Sequence, residues 1–267
     1  MMQVSQLSYK AGHKVILDNI SFTIPAGKVT IVLGPNGAGK STLLRLLSGE
    51  LHPTGGTIHL HNQPLQQIPP AAMARQRAVL TQQYALTLPF SCEEVVMMGR
   101  YPHFGNQPAS QDQQIVTAAM EEMQVTHLRQ RPFLTLSGGE QQRVQVARVL
   151  AQLWNQPDSA TANKLLLLDE PTSSMDILHQ HMLLTKAKQL AQQQYAVLIV
   201  LHDLNLAAQF ADTLVLLQNG KLAASGAVHE VLQPAIIHQA YGIEVNLVQH
   251  PDFDFPLVVP GPRINKH

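Results

Sequence analysis

The chain has 267 residues, 45% of them hydrophobic, which is enough for one sizeable core or a core with a smaller subdomain. Its 18 Lys and Arg residues balance 18 Asp and Glu residues, so no net field attracts a polyanion such as nucleic acid or an anionic membrane. We therefore expect a globular domain without a nucleic-acid partner, in which any phosphate binding is local.

The sequence also argues against export and against a membrane span. The N-terminal residues lack the apolar core of a signal peptide. The longest apolar stretches, at 165–168 and 196–201, are far shorter than the ~20 residues that cross a bilayer. Cys92 is the single cysteine and has no metal-site spacing around it, so we expect a buried, inert thiol. A cytoplasmic protein that serves a membrane only through a partner fits these features.

In chain order, three short apolar runs predict buried parallel strands at 29–33, 165–168 and 196–201. Residues 4–24 and the segment TGGTIHLHNQPL alternate apolar and polar side chains, which predicts a flanking antiparallel sheet. Helical spacing begins near Pro89 and predicts an inserted helical subdomain. We expect one α/β domain over 1–267, with the core and β-subdomain in 1–88 and 153–231, the helical subdomain in 89–152 and a C-terminal extension in 232–267.

The first apolar run leads into GPNGAGKST, which fits the phosphate-loop pattern GxxxxGK[ST] between a strand and a helix. Glycines let consecutive N–H groups face an anion, and the helix N-terminus adds partial positive charge. A chance match in a chain of this length has a probability of about one per cent. Lys40 should reach the β- and γ-phosphates and Ser41 should ligate Mg²⁺, so we expect a P-loop NTPase core that binds ATP. The predicted nucleotide-binding residues here are Gly34, Pro35, Asn36, Gly37, Ala38, Gly39, Lys40, Ser41 and Thr42.

The second apolar run, LLLLDE, delivers two adjacent carboxylates to the end of a strand. Adjacent strand side chains point to opposite faces, so the two acids can have different functions. Asp169 is placed to hold Mg²⁺, and Glu170 is the candidate base that polarises the attacking water. A solvated acidic strand end is the alternative, but the phosphate loop earlier in the chain favours the catalytic interpretation.

The segment LSGGEQQR at 136–143 resembles the signature motif of ATP-binding cassette ATPases, and its place between the phosphate loop and LLLLDEPT matches that family. The resemblance covers at least 4–232. A serine and two glycines that open a helix can bind an anion. The resemblance implies that Ser137, Gly138 and Gly139 act in trans on the γ-phosphate held by a second subunit. It thus implies a head-to-tail homodimer with two ATP molecules between the subunits.

The resemblance also assigns roles to single residues. Tyr9 lies where the family places a ring that stacks on adenine, although a strand tyrosine more often packs. Gln82 resembles the glutamine that touches Mg²⁺ and the attacking water, with Gln83 as the alternative register. His202 resembles the switch histidine that bonds the γ-phosphate. Asp176 resembles the loop residue that contacts the opposite site, in SSMD where the family more usually has SALD.

The stretch PFSCEEVVMMGRYPH is similar to a segment of the ATPases of iron-siderophore, haem and vitamin B12 importers, where it forms the groove for a permease helix. The polar loop at 155–163 is most similar to the haem-import branch, while siderophore and vitamin B12 stay open. The resemblance implies a homodimer on two permease copies at the cytoplasmic face of the inner membrane. A periplasmic substrate-binding protein is then an indirect partner.

The same stretch contains Val95, Val96, Met97 and Met98, which cannot all face one core in a helix with ~3.6 residues per turn. We expect some of them to be exposed as a docking surface, because methionine adapts to irregular partners. The alternative is that the whole segment packs inside the helical subdomain.

Other functions compete with transport. A soluble cassette ATPase acting on nucleic acid or ribosomes tends to have two cassettes, a coiled-coil insertion or basic patches, and the sequence has none of them. A module that holds ATP without hydrolysis is disfavoured because Glu170 and His202 are both present. An exporter would often be fused to a membrane span.

Overall fold

A computed structural model of the protein describes residues 1–81, 87–154 and 164–261. Within these ranges the strands are β1 (Met2–Ala11), β2 (Lys14–Ile24), β3 (Val29–Leu33), β4 (Gly55–Leu60), β5 (Gln63–Pro64), β6 (Arg77–Leu80), β7 (Leu165–Asp169), β8 (Ala196–Val200), β9 (Thr213–Gln218), β10 (Lys221–Gly226), β11 (Val245–Gln249) and β12 (Pro256–Pro260). The α-helices are α1 (Lys40–Leu47), α2 (Pro70–Gln76), α3 (Cys92–Met97), α4 (Ser110–Glu122), α5 (Gly138–Leu153), α6 (Ile177–Gln192), α7 (Leu204–Phe210), α8 (Val228–Val231) and α9 (Pro234–Tyr241).

The central sheet has the strand order β10-β9-β3-β8-β7-β6, and all its neighbours are parallel except β10 and β9. The three strands predicted from apolar runs, β3, β8 and β7, are therefore adjacent at its centre. Their C-terminal ends lead directly to the phosphate loop, to His202 and to Glu170. Because the carboxyl ends of parallel strands meet at one edge, the sheet alone brings these groups together.

Both faces of this sheet are covered. In β7, Leu166 and Leu168 belong to one buried core, while Leu165 and Leu167 belong to the other. Alternate residues point to opposite faces, so a continuous apolar run is what a strand between two cores requires. Burial of each leucine side chain, relative to its exposure to water, stabilises the fold by about 1.5–3 kcal/mol.

The second sheet has the order β2-β1-β4-β5 and is antiparallel throughout. Val4 of β1 lies opposite Phe22 of β2 and Ile58 of β4, and all three join the core that contains the buried leucines of α1. The predicted fold class, an α/β P-loop core with a flanking antiparallel sheet and an inserted helical subdomain, is confirmed.

The chain segment that connects β6 to β7 contains the helices α3, α4 and α5, which pack on one another. Cys92 is buried in this group, as expected, and burial raises the pKa of its thiol. Val95 and Val96 are also fully buried, whereas Met97 and Met98 are half-buried at the point where α3 passes into a 3-10 turn over Met98–Arg100. The four-residue run thus divides between core and surface.

The C-terminal extension, which the sequence left without a structural prediction, forms α9 and the antiparallel hairpin β11–β12. The side-chain amide of Asn205 in α7 pairs with β12. It donates to the carbonyl of Val258 at 3.3 Å and accepts from the Val258 N–H at 2.7 Å. Within the described ranges, no helix combines the length and apolar character that a membrane span needs.

Candidate nucleotide site

Two glycines of the phosphate loop are required by their surroundings. Gly34 has φ +148°, and a Cβ there would lie 2.3 Å from the carbonyl oxygen of Leu217. Gly39 has φ +99°, and a Cβ there would lie 2.5 Å from a methyl carbon of Leu17. Both φ values are in the region that favours glycine, and at Gly34 the backbone contact also excludes a side chain before any ligand is considered.

Lys40 begins α1 and is buried against its own loop. Its Nζ donates to the carbonyl of Gly34 at 2.8 Å and to that of Pro35 at 3.1 Å. Burial lowers the pKa of this ammonium group, while the charges of Glu170 and Asp169 oppose that effect. The loop therefore contains a positive charge at the N-terminus of a helix, where phosphate binding is favoured.

Asp169 has a buried carboxylate with an unused oxygen. Its Oδ1 has no hydrogen-bond partner among the described residues. Burial raises its pKa and the charge of Glu170 raises it further, while a hydrogen bond with Ser41 and the charges of Lys40 and His202 lower it. A buried orphan carboxylate oxygen beside a hydroxyl fits the hard oxygen ligands that Mg²⁺ prefers.

Glu170 is a non-glycine residue with φ +47°, a conformation that costs on the order of 1–3 kcal/mol. Its backbone N–H donates to the carbonyl of Val200 at 3.2 Å, which ties this turn to the end of β8. Its Oε1 lies 2.5 Å from Nε2 of His202. The candidate base and the candidate switch histidine, which follow different strands, are thus directly hydrogen-bonded.

The signature segment caps the helix that it begins. Ser137 is the N-cap of α5, and its N–H and hydroxyl both donate to the Glu140 carboxylate, at 2.9 and 2.8 Å. A Cβ at Gly139 would lie 2.9 Å from the carbonyl oxygen of Ser174, whereas one at Gly138 would meet the Ser174 side chain at 3.7 Å. Gly139 therefore has a packing reason to be glycine within its own chain.

Asp176 caps α6 next to an exposed apolar pair. Its Oδ1 accepts from the backbone N–H of His179 at 2.9 Å and lies 2.7 Å from the ring Nδ1 of the same residue. The backbone hydrogen bond and the ring lower the pKa of this carboxyl. Ile177 and Leu178 follow it and are 76% and 64% exposed.

Tyr9 is half-buried in β1 and lies opposite Leu17, whose side chain contacts Gly39. The antiparallel sheet thus borders the phosphate loop at this point. Gln82 and its alternative Gln83 lie outside the described residues, as does the polar loop at 155–163.

Sequence reasoning missed Tyr241, at the end of α9. Its hydroxyl is buried beside the backbone of Gly34, and burial raises its pKa to about 12 against the opposing effect of that backbone. The C-terminal extension therefore contacts the phosphate loop. The sequence contains no signal for this contact, because it joins segments far apart in the chain and the helical pattern of α9 does not identify its neighbour.

These elements define a phosphate-binding ATPase core with a signature helix, and family comparison agrees. The family model described as ABC transporter matches residues 17–173, and the chain belongs to that family. The predicted resemblance to ATP-binding cassette ATPases is confirmed, and the chain is an ATP-binding subunit of this class.

Three relatives are similar to the chain over nearly its whole length, and each is described as hemin import ATP-binding protein HmuV. The protein of Gloeobacter violaceus is 44% identical and the alignment covers 97% of this chain and 94% of that protein. The protein of Pseudomonas aeruginosa is 44% identical, with coverage of 97% and 99%. The protein of Deinococcus radiodurans is 45% identical, with coverage of 97% and 96%.

Solved structures share the fold. One chain, described as part of a metal-chelate type ABC transporter in an inward-facing conformation, superposes with a TM-score of 0.80 at 28% identity and covers 97% of this chain and 96% of its own. A nucleotide-free ATP-binding cassette superposes with a TM-score of 0.75 at 22% identity, with coverage of 89% and 97%.

Proposed function

We propose that this chain hydrolyses ATP to power a membrane importer of haem. The observation that carries the proposal is the 44–45% identity to hemin import ATP-binding proteins over 97% of the chain. Ferric siderophore or vitamin B12 is the second candidate cargo, favoured by the similarity to a metal-chelate type transporter. The sequence identity to that transporter is 28%, lower than the identity to the hemin import proteins, so haem has the stronger support.

The chain acts as one domain over 1–267, in which 1–88 and 153–231 form the core and β-subdomain, 89–152 the helical subdomain and 232–267 an extension. Backbone N–H groups of the loop at 34–42, in which Pro35 has none to donate, bind the β- and γ-phosphates, and Lys40 exchanges loop carbonyls for phosphate oxygens. Tyr9 stacks on adenine.

Hydrolysis needs a base aimed at the attacking water. Glu170 accepts a proton from that water while the water oxygen forms a bond to the γ-phosphorus. The bond between the γ-phosphorus and the bridging oxygen breaks, and that oxygen leaves with ADP. His202 orients the Glu170 carboxylate, because its Nε2 lies 2.5 Å from Oε1, and the same N–H turns to the γ-phosphate when ATP is bound. Mg²⁺ would neutralise charge on the phosphate oxygens, and Ser41, Asp169 and Gln82 would hold it.

The active unit is a homodimer. Ser137, Gly138 and Gly139 open α5 and act on the γ-phosphate bound by the other subunit, where N–H groups and the helix N-terminus stabilise negative charge. Asp176 lies at the same interface. The exposed apolar pair Ile177 and Leu178 supports this arrangement, because dimer formation would remove it from water.

The dimer binds two permease copies at the cytoplasmic face of the inner membrane, and a periplasmic substrate-binding protein delivers the cargo. The permease contact includes the segment at 97–101, where two half-buried methionines precede the exposed Tyr101. Methionine side chains repack easily against an irregular partner.

Complementation tests the cargo. The gene, with its own permease and binding-protein genes, is expressed in a bacterium that lacks haem, siderophore and vitamin B12 import. Wild type should restore growth on haem as the sole iron source, and Glu170→Gln should not. Growth restored only on a ferric siderophore, or only under vitamin B12 limitation, would replace haem by that cargo.

A further inference from the structure

The C-terminal end of α5 is held by side chains from outside the helix. The last carbonyls of a helix have no partner within it. Here the Nη1 of Arg100 donates to the carbonyl of Ala151 at 2.7 Å and to that of Trp154 at 2.6 Å. Arg100 and both carbonyls are buried or nearly so, which strengthens the bonds.

The two intervening carbonyls are also bonded. Nε2 of His103 lies 2.8 Å from the carbonyl oxygen of Gln152, and Nζ of Lys164 donates to the carbonyl of Leu153. Because a carbonyl can only accept, His103 must carry its proton on Nε2, and burial lowers the pKa of this ring. Four consecutive carbonyls at the end of one helix are thus satisfied by Arg100, His103 and Lys164, which we name the helix-end clamp.

The clamp connects α5 both to α4 of the helical subdomain and to the core strand β7. Nε of Arg100 forms a buried ion pair with Asp112 at 2.9 Å, and Asp112 also accepts from the backbone N–H of Ala109 at the start of α4. Lys164 immediately precedes β7, the strand that ends at Asp169.

A third connection runs to β6. The side-chain amide of Gln152 donates to the carbonyls of Ala74 and Arg77 at 2.8 and 3.0 Å, at the junction of α2 with β6. The end of α5 is therefore fixed to α4, β6 and β7 together.

The opposite end of α5 carries Ser137 and Gly139. The helix has 16 residues and is about 24 Å long at 1.5 Å per residue. If its C-terminal end were released, a tilt of about 5° would move the signature end by about 2 Å, enough to break a hydrogen bond. Arg100 also lies in the chain between the half-buried Met98 and the exposed Tyr101.

We propose that the helix-end clamp consists of positioning residues that set the signature end of α5 relative to Asp169 and Glu170, and that permease contact acts on this clamp through the segment at 97–101. The second part rests on the proposed transport function. The first part concerns this chain alone.

The first experiment compares Arg100→Gln, Arg100→Lys and the control Arg129→Gln. Arg129 is another arginine of the helical subdomain and forms an ion pair with Glu93. Arg100→Gln should lower kcat at least tenfold while ATP affinity stays within twofold, because the phosphate loop is unaltered. Arg100→Lys should not rescue kcat, since one ammonium group cannot replace a planar fork that binds both Asp112 and two carbonyls. Arg129→Gln should match wild type.

A core variant, Val116→Ala, shows whether a general loss of stability is enough to lower kcat. Val116 is chosen because it is fully buried in α4. If Val116→Ala lowers Tm as much as Arg100→Gln and lowers kcat equally, the clamp has only a structural role and the proposal is overturned. Hydrogen exchange gives a readout without ATPase activity. Arg100→Gln should accelerate exchange in residues 141–146 as well as 148–153, and a change confined to 148–153 would contradict end-to-end positioning.

A second pair tests the hydrogen bond itself. His103→Gln retains an N–H donor for the carbonyl of Gln152, whereas His103→Leu does not. The kcat of the glutamine variant should stay within about twofold of wild type. The kcat of the leucine variant should fall below that range. Equal kcat in the two variants would exclude this bond as the cause.

The permease arm uses the assembled transporter in vesicles. Met98→Glu should reduce the stimulation of ATPase activity by the permease without changing kcat of the isolated protein. If stimulation is unchanged, the second part of the proposal fails. If the wild type binds no permease at all, the proposed transport function fails instead, while the kcat and exchange results still decide the first part.

Discussion

Lys164 makes the stability of this protein depend on pH in a calculable way. Its side chain is 4% exposed, and burial together with the charge of Arg100 lowers its pKa from 10.5 to about 8. The charge of Lys164 in turn contributes to the lowered pKa of His103, and Asp112 is paired with Arg100. A lowered lysine pKa means that the folded state prefers the neutral amine. Between about pH 8 and 10.5 the unfolded chain binds more protons, so stability rises with pH through this window.

The difference of about 2.5 pKa units corresponds to about 3 kcal/mol of cost in the charged form, fully present below pH 8. Raising the pH from 7 to 9.5 should therefore recover about 2 kcal/mol. The assay is urea unfolding of wild type and Lys164→Met at both pH values. The variant loses its bond to the carbonyl of Leu153 at every pH, so only the pH-dependent difference reports on titration.

The matched control is Lys221→Met, because Lys221 has a side chain that is 69% exposed. Its pH dependence should equal that of wild type. If Lys164→Met gains as much stability as wild type between pH 7 and 9.5, the amine is not titrating there and the reasoning is refuted.

Further predictions concern turnover, packing and assembly. Lys40→Ala should abolish ATP binding in a fluorescent-nucleotide titration. Glu170→Gln should bind ATP normally, but its rate of phosphate release should fall at least a hundredfold, because an amide cannot accept the proton. A normal rate of release would remove Glu170 from the mechanism. Gly139→Ala should lower the free energy of unfolding by about 1–3 kcal/mol, because its Cβ would clash with a backbone carbonyl. Gly138→Ala should be neutral or should stabilise the protein by up to about 1 kcal/mol. Equal free energies of unfolding for the two variants in urea would contradict the packing geometry. Ile177→Glu should bind ATP but shift ATP-dependent dimerisation, measured by light scattering, to higher protein concentration; an unchanged dimer would place the interface elsewhere.

Much of the candidate site could be predicted from the sequence because its signals are local. The phosphate loop is defined by glycines at fixed spacing between a strand and a helix, and LLLLDE combines a buried run with the carboxylates that end it. Burial on both faces demands uninterrupted apolar residues, so the three central strands could be identified without knowing their neighbours. The apolar runs identify these strands along the chain, but they do not predict the order of the strands in the sheet.

The tertiary structure alone decided what joins distant segments. Hydrophobic periodicity indicates which face of an element is buried, but it does not say which other element covers that face. For this reason the contact of Tyr241 with Gly34 and the pairing of Asn205 with β12 were not predicted. The positive φ of Glu170 also had no sequence signal, because neighbouring contacts, and not its own preference, impose that conformation.

The clamp on α5 shows the division most clearly. The sequence determined that a serine and two glycines begin this helix, since caps and helix formers act within a few residues. It did not determine that Arg100, His103 and Lys164 converge on the carbonyls of residues 151–154 at the end of the helix, because these side chains come from two separate segments. Their meeting depends on how α4, β6 and β7 pack around α5, and that packing is fixed by burial across the whole core, not by any local pattern.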